Sequence, residues 1–155
     1  MRALADDPGS LATTAPDVSG WSVGRHIEHL RLAAAGIVRW IESTLDDPAG
    51  SPPSGSPSRT GRMVLLTGYI PRGRAKAPEP SVPGEEIPAD LAARLDQLME
   101  AVDRLEERLD EVHASESTFE HPILGHFTPR QWLRFLDVHH RHHEKIVSDI
   151  RASRA

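Results

Sequence analysis

The chain has 155 residues, 18 Lys and Arg against 23 Asp and Glu, a net charge of −5 and no cysteine. Without cysteine there is no disulfide, no thiolate nucleophile and no thiolate metal site, so a transition metal can be held only by imidazole and oxygen ligands. The acid excess carries no run of Lys or Arg, no stretch approaches the ~20 apolar residues of a bilayer span, and the N-terminus lacks a signal-peptide core; we therefore expect a soluble cytoplasmic protein that binds neither nucleic acid nor membrane.

Length predicts a single domain over 1–155. Residues 1–20 hold too few apolar positions for more than one short helix and read as a poorly structured lead-in. From Ser22, a plausible N-cap, the positions Val23, Ile27, Leu30, Ala34, Ile37, Val38, Ile41 and Leu45 trace one face of a long helix that stops before Pro48. Residues 46–61 are a loop rich in proline, glycine and serine. The short apolar run Met63-Val64-Leu65-Leu66 is ambiguous in period, and helix is favoured only by its helical neighbours. After a second loop at 71–88, the residues Leu91, Leu95, Leu98, Val102, Leu105, Leu109 and Val112 alternate at intervals of four and three, which predicts one continuous bundle helix. A loop over 114–127 leads to Thr128-Pro129, a cap followed by proline at the first helical position, and a helix over 129–151. No alternating pattern supports a strand, so the expected fold is all-α.

That last helix carries Val138-His139-His140-Arg141-His142-His143-Glu144. At 3.6 residues per turn His139 and His143 share one face, and Trp132, Leu136, Ile146 and Ile150 fall on the same stripe, so both imidazoles point inward. Two inward imidazoles four residues apart suit one shared metal ion. A pair of hydrogen-bonded core histidines, or a solvated cluster, is the bland alternative. A third ligand from the first long helix is His26 or His29: His26 lies nearer the centre of the apolar stripe, and His29 lies on its shoulder with Ala33, Gly36 and Trp40. Periodicity does not choose between them. Glu28 and Glu144 plot outward, as solvated surface, which leaves no evident general base; His26 and His142 are the candidates for proton transfer or for support of the ligands. Trp21, Trp40 and Trp132 read as core anchors, and the loop cations Arg72, Arg74 and Lys76 as solvated charge that can steer an anionic substrate.

Several segments together resemble the DinB-like metal-binding four-helix bundles, a superfamily that includes thiol-dependent transferases using bacillithiol or mycothiol. Trp21-Ser22 followed by His29-Leu30 is similar to the family's entry to its second helix. Ile70-Pro71-Arg72-Gly73, and His121-Pro122-Ile123-Leu124-Gly125 followed by Gln131-Trp132, resemble loops of an uncharacterised branch. His139, His142 and His143 match the family's His-x-x-His-His pattern. The resemblance covers roughly 20–150 and implies an up-down-down-up bundle with a shortened or missing first helix, often a homodimer. It also implies a divalent metal, zinc or nickel, on His29, His139 and His143. The function expected from it is thiol transfer or small-molecule hydrolysis, with a small substrate or a low-molecular-weight thiol as partner. The rival expectation is a non-catalytic metal-stabilised bundle serving as a stress-response or interaction module.

Overall fold

The computed structural model describes residues 1–50, 52–73 and 76–153; Arg74 of the loop cations lies outside them. Capping side chains decide where four of the helices begin. Asp7 accepts the Gly9 N–H at the head of α1 (Pro8–Ala12), Ser22 that of Arg25 at α2 (Val23–Asp46), and Ser58 that of Gly61 at α3 (Arg59–Thr67). At α6 (Pro129–Ala152), Thr128 and Gln131 form a reciprocal capping box, and Pro129 takes a position whose N–H has no helical partner.

The two 24-residue helices α2 and α6 run antiparallel. Val23 and Ile27 share one buried apolar cluster with Ile146, Val147 and Ile150, whereas Ile37, Val38 and Ile41 share another with Trp132, Phe135 and Val138. α4 (Leu91–Glu106) packs against α2, α3 against α6, and the five-residue α1 against the start of α2. The result is the expected all-α bundle with a shortened N-terminal helix.

Two expectations fail locally. The helix predicted over 91–112 breaks after Glu106 and resumes as α5 (Leu109–Ala114). No proline or glycine causes the break. Arg108 binds both Glu111 and Asp46 there, and the new axis buries Val112 while Leu109 turns outward to 40% exposure. The 114–127 loop also contains an antiparallel hairpin, β1 (Phe119–His121) with β2 (Gly125–Phe127). The chain leaves its turn through Gly125, the first residue of β2, whose φ of +79° is left-handed and whose Cβ, if present, would lie 2.6 Å from the Ser58 nitrogen. His121 Nδ1 accepts the Ile123 and Leu124 N–H groups at 3.1 and 3.2 Å, which makes it an organiser of the turn.

The hairpin matters because it delivers Phe127, fully buried against Trp132 and Phe135 at ring separations of 5.2 and 6.0 Å. Truncation to alanine leaves a cavity that rigid neighbours cannot fill, so Phe127→Ala is expected to lower unfolding free energy by about 3–5 kcal/mol. Urea unfolding of the variant measures this; a loss under about 1 kcal/mol would mean that the hairpin is not part of the cooperative core.

Candidate metal centre

Between the two apolar clusters the α2–α6 seam is lined with imidazoles. His26 and His29 come from the first two turns of α2, His139 and His143 from the middle of α6. His26 and His29 are each 3% exposed and His143 8%. α2 is buried on several sides here, by α6, by the N-terminal segment and by the 3-10 turn Glu79–Ser81. This also corrects the outward placement of Glu28: it is 5% exposed and binds Arg31 through two contacts of 2.7 Å. Glu144 is exposed, as expected.

Both inward histidines of α2 meet α6, but differently. His29, His139 and His143 each offer a ring nitrogen, and the three nitrogens lie within 4.8 Å of one another. Their ring centroids form a near-regular triangle, at 4.7, 4.8 and 5.0 Å. His26 stands behind the triangle, its Nδ1 2.9 Å from His143 Nδ1 and its Nε2 2.9 Å from Ser19 Oγ. Trp21 covers His26 and His29 at 5.4 and 5.2 Å, and Phe135 stacks on His139 at 5.3 Å with an interplanar angle of 13°.

Hydrogen bonds decide which nitrogens are free to coordinate. His29 Nδ1 lies 2.7 Å from the Ser81 carbonyl, which only accepts, so Nδ1 carries the proton and Nε2 holds a bare lone pair. For His143 to present Nε2 in the same way, its Nδ1–H must donate to His26 Nδ1. His26 then donates from Nε2 to Ser19 Oγ, a chain that the geometry permits. His29 Nε2 and His139 Nε2 are 3.1 Å apart. Two imidazole nitrogens each about 2.0–2.1 Å from one ion stand about 3.0–3.4 Å apart, so this spacing suits a shared cation.

Burial also sets the charge. Desolvation is the main cause that lowers each pKa, to about 4 for His26 and about 3 for His139, and well below the ordinary imidazole value for His143. His29 is lowered by burial too, with the Ser81 carbonyl acting against it. Near pH 7 all four are neutral, the form that binds metal. His139 Nδ1 is buried and has no hydrogen-bond partner. With Nε2 facing His29, Nδ1 is the nitrogen that carries the proton, on the side of the ring away from the triangle. Donor type, spacing and protonation fit a divalent transition metal.

The family model of the DinB superfamily matches residues 2–147. The chain belongs to the DinB superfamily. The match reaches back through the lead-in segment to residue 2, beyond the 20–150 that the motifs cover. Neither the curated proteins nor the solved structures yield a match. A three-histidine group that could hold a metal ion accords with the metal association of the DinB superfamily. His142, the middle histidine of the DinB-like pattern, does not join the triangle; half-buried, it faces the 70–72 segment and touches the His143 ring at 5.1 Å.

Ser81 and Ser19 were not legible as parts of the centre. Ser81 contributes a main-chain carbonyl, which has no side-chain signature, and a serine seven residues before His26 is unremarkable until α2 and the preceding turn fold together. If the Ser19–His26 chain orients His143, His26→Ala should weaken metal affinity about 10–100-fold while leaving the helical content intact. A competition titration with a chromogenic chelator measures this, and an unchanged affinity would assign His26 to packing alone.

Proposed function

We propose that His29, His139 and His143 hold a catalytic divalent transition metal, zinc or nickel, and that the protein is a metal-dependent enzyme of small-molecule thiol transfer or hydrolysis. The observation that carries this reading is the triangle itself: three neutral imidazoles from two helices, their donors within 4.8 Å, with no fourth protein ligand in the cluster among the described residues. Three protein ligands leave a coordination position open, the mark of a catalytic rather than a structural centre. A divalent ion there supplies Lewis acidity, bringing the pKa of a water or thiol in the open position toward neutrality. The chain's residues hold and dry the site: Ser81 and His26 set the tautomers, while Trp21 and Phe135 exclude water. With no cysteine, a thiol must come from a low-molecular-weight cosubstrate.

Burial of His29 and His143 supports a second reading, in which the same metal only ties α2 to α6. Cobalt substitution separates the two. A small thiol added to the cobalt-loaded protein should change its visible spectrum, and thiol-plus-electrophile and ester panels should show turnover that chelation abolishes. A spectrum indifferent to thiols, together with no turnover, would leave the structural reading. As a DinB chain the protein is also proposed to be a cytoplasmic homodimer of single-domain subunits, which sedimentation of the purified protein tests.

A further inference from the structure

On the flank of α6 next to the imidazole triangle, the segment from Gly68 to Arg72 stands off the helix and leaves a cavity of about 530 Å³, within the range of small-ligand sites. Gly68 makes the turn that opens it, ending α3 with a left-handed φ of +64°. Val138 and His142 form its α6 wall, and these residues directly precede His139 and His143. The cavity and the triangle thus lie on neighbouring faces of the same helical turns.

Its charge is one-sided. Among the described residues Arg72, Arg141 and Lys145 line it and no carboxylate does, in a chain whose net charge is −5. Two carboxylates stand outside the lining and hold the arginines: Asp149 binds Arg72 Nη1 at 2.7 Å and Asp137 binds Arg141 Nη2 at 2.7 Å. A guanidinium has five N–H donors, so each arginine keeps donors for a ligand. Lys145 has no carboxylate partner among the described residues. Three cations line the cavity, and with each arginine keeping donors beyond its one carboxylate and Lys145 holding none, the lining suits an oxyanion.

We propose that this cavity binds the carboxylate or phosphate group of a small-molecule substrate through Arg72, Arg141 and Lys145, placing the rest of that molecule beside His142 and the metal centre. The substrate role rests on the metal-enzyme reading above; the anion site does not. Arg72 comes from the loop whose cations were read as steering an anion, but its partners are α6 residues rather than Lys76.

Titration of ¹⁵N-labelled protein with inorganic phosphate, and separately with acetate, at constant ionic strength tests the site. Saturable shifts are expected at the Gly68, Tyr69, Arg72, His142 and Lys145 amides. They should persist after chelator treatment, which separates this cavity from anions bound at the metal. Arg72→Ala should weaken binding about tenfold, the loss of one charged hydrogen-bonding group, and Arg72→Ala with Lys145→Ala should remove saturation. Arg104→Ala, on remote α4, should change nothing. Both substituted side chains are exposed, so the fold is expected to survive. Tighter phosphate assigns a phosphorylated substrate and tighter acetate a carboxylate. Shifts that never saturate with either anion, or that survive the double substitution, overturn the proposal. Metal content is measured on the same preparation before chelator is added: anion binding in protein that never held metal sinks the enzyme reading alone, and metal without anion binding sinks this one alone.

Discussion

His139→Ala is expected to abolish metal loading. In the wild type, elemental analysis of tag-free protein should find close to one divalent ion per chain. His139 lies at the centre of the arrangement: its Nε2 is 3.1 Å from His29 Nε2, and its ring stands 4.7 Å from that of His143. Removing it leaves two imidazoles, and since loss of a mere supporting group weakens metal sites by about 10–100-fold, loss of a ligand should exceed about 100-fold. His29→Ala and His143→Ala should behave alike, because each removes one corner of the same triangle. His140→Ala is the internal control: it is one residue from His139, yet its side chain is 48% exposed and faces Glu144 at 3.8 Å. Equal metal loss in His140→Ala would point to surface chelation. Unchanged metal in all three corner variants would remove the centre from the reading of this protein.

Stripped of metal, the protein should lose stability steeply as the pH falls from 6.5 toward 4. Unfolded histidines bind a proton near pH 6.5, whereas in the folded chain burial depresses His26 to about 4 and His139 to about 3. Above pH 6.5 neither state is protonated and the full stability is present. Between the unfolded and folded values only the unfolded state gains protons, so the balance shifts toward unfolding with each unit of pH. At 1.36 kcal/mol per unit, His26 alone accounts for about 2–3 kcal/mol by pH 4, and His139 extends the loss below that. This is a large part of the 5–15 kcal/mol typical of a domain. Metal should oppose the trend near neutrality, since a ligand at 1,000 times its Kd adds about 4 kcal/mol to the folded state, and its benefit should fade as protons displace it. Urea midpoints at a series of pH values, with chelator and with excess metal, measure both effects. A midpoint flat from pH 7 to 4.5 in chelator would show that the imidazoles titrate as freely as in the unfolded chain.

Much of this molecule is written locally. Thr128-Pro129 starts α6 where it should, because capping and the missing proline N–H act within one helical turn. The i, i+4 spacing puts His139 and His143 on one face whatever surrounds them, since 3.6 residues per turn is a property of the helix alone. The apolar stripe of α2 likewise follows from its own period.

Other features have no local cause. The hairpin strands are three residues each, too short for alternation to register, and exist because Gly125 can turn and Phe127 has a core to enter. The break between α4 and α5 falls where no residue disfavours helix, and it is the pull of Val112 into that core, with Arg108 tied to Asp46, that sets it. Glu28 is hidden on a face that the helical wheel assigns to solvent, where Arg31 pairs with it and where the Glu79–Ser81 turn and α4 pack against α2. The cavity beside α6 joins residues near 70 to residues near 140. Above all, the choice between His26 and His29 belongs to the tertiary structure. That both point inward follows from consecutive residues alone, because direction around a helix axis depends on nothing else. Which one meets the α6 pair, and which stands behind His143, was decided by the register of α2 against α6 and by the carbonyl of Ser81, contacts between segments remote in the chain that no local period encodes.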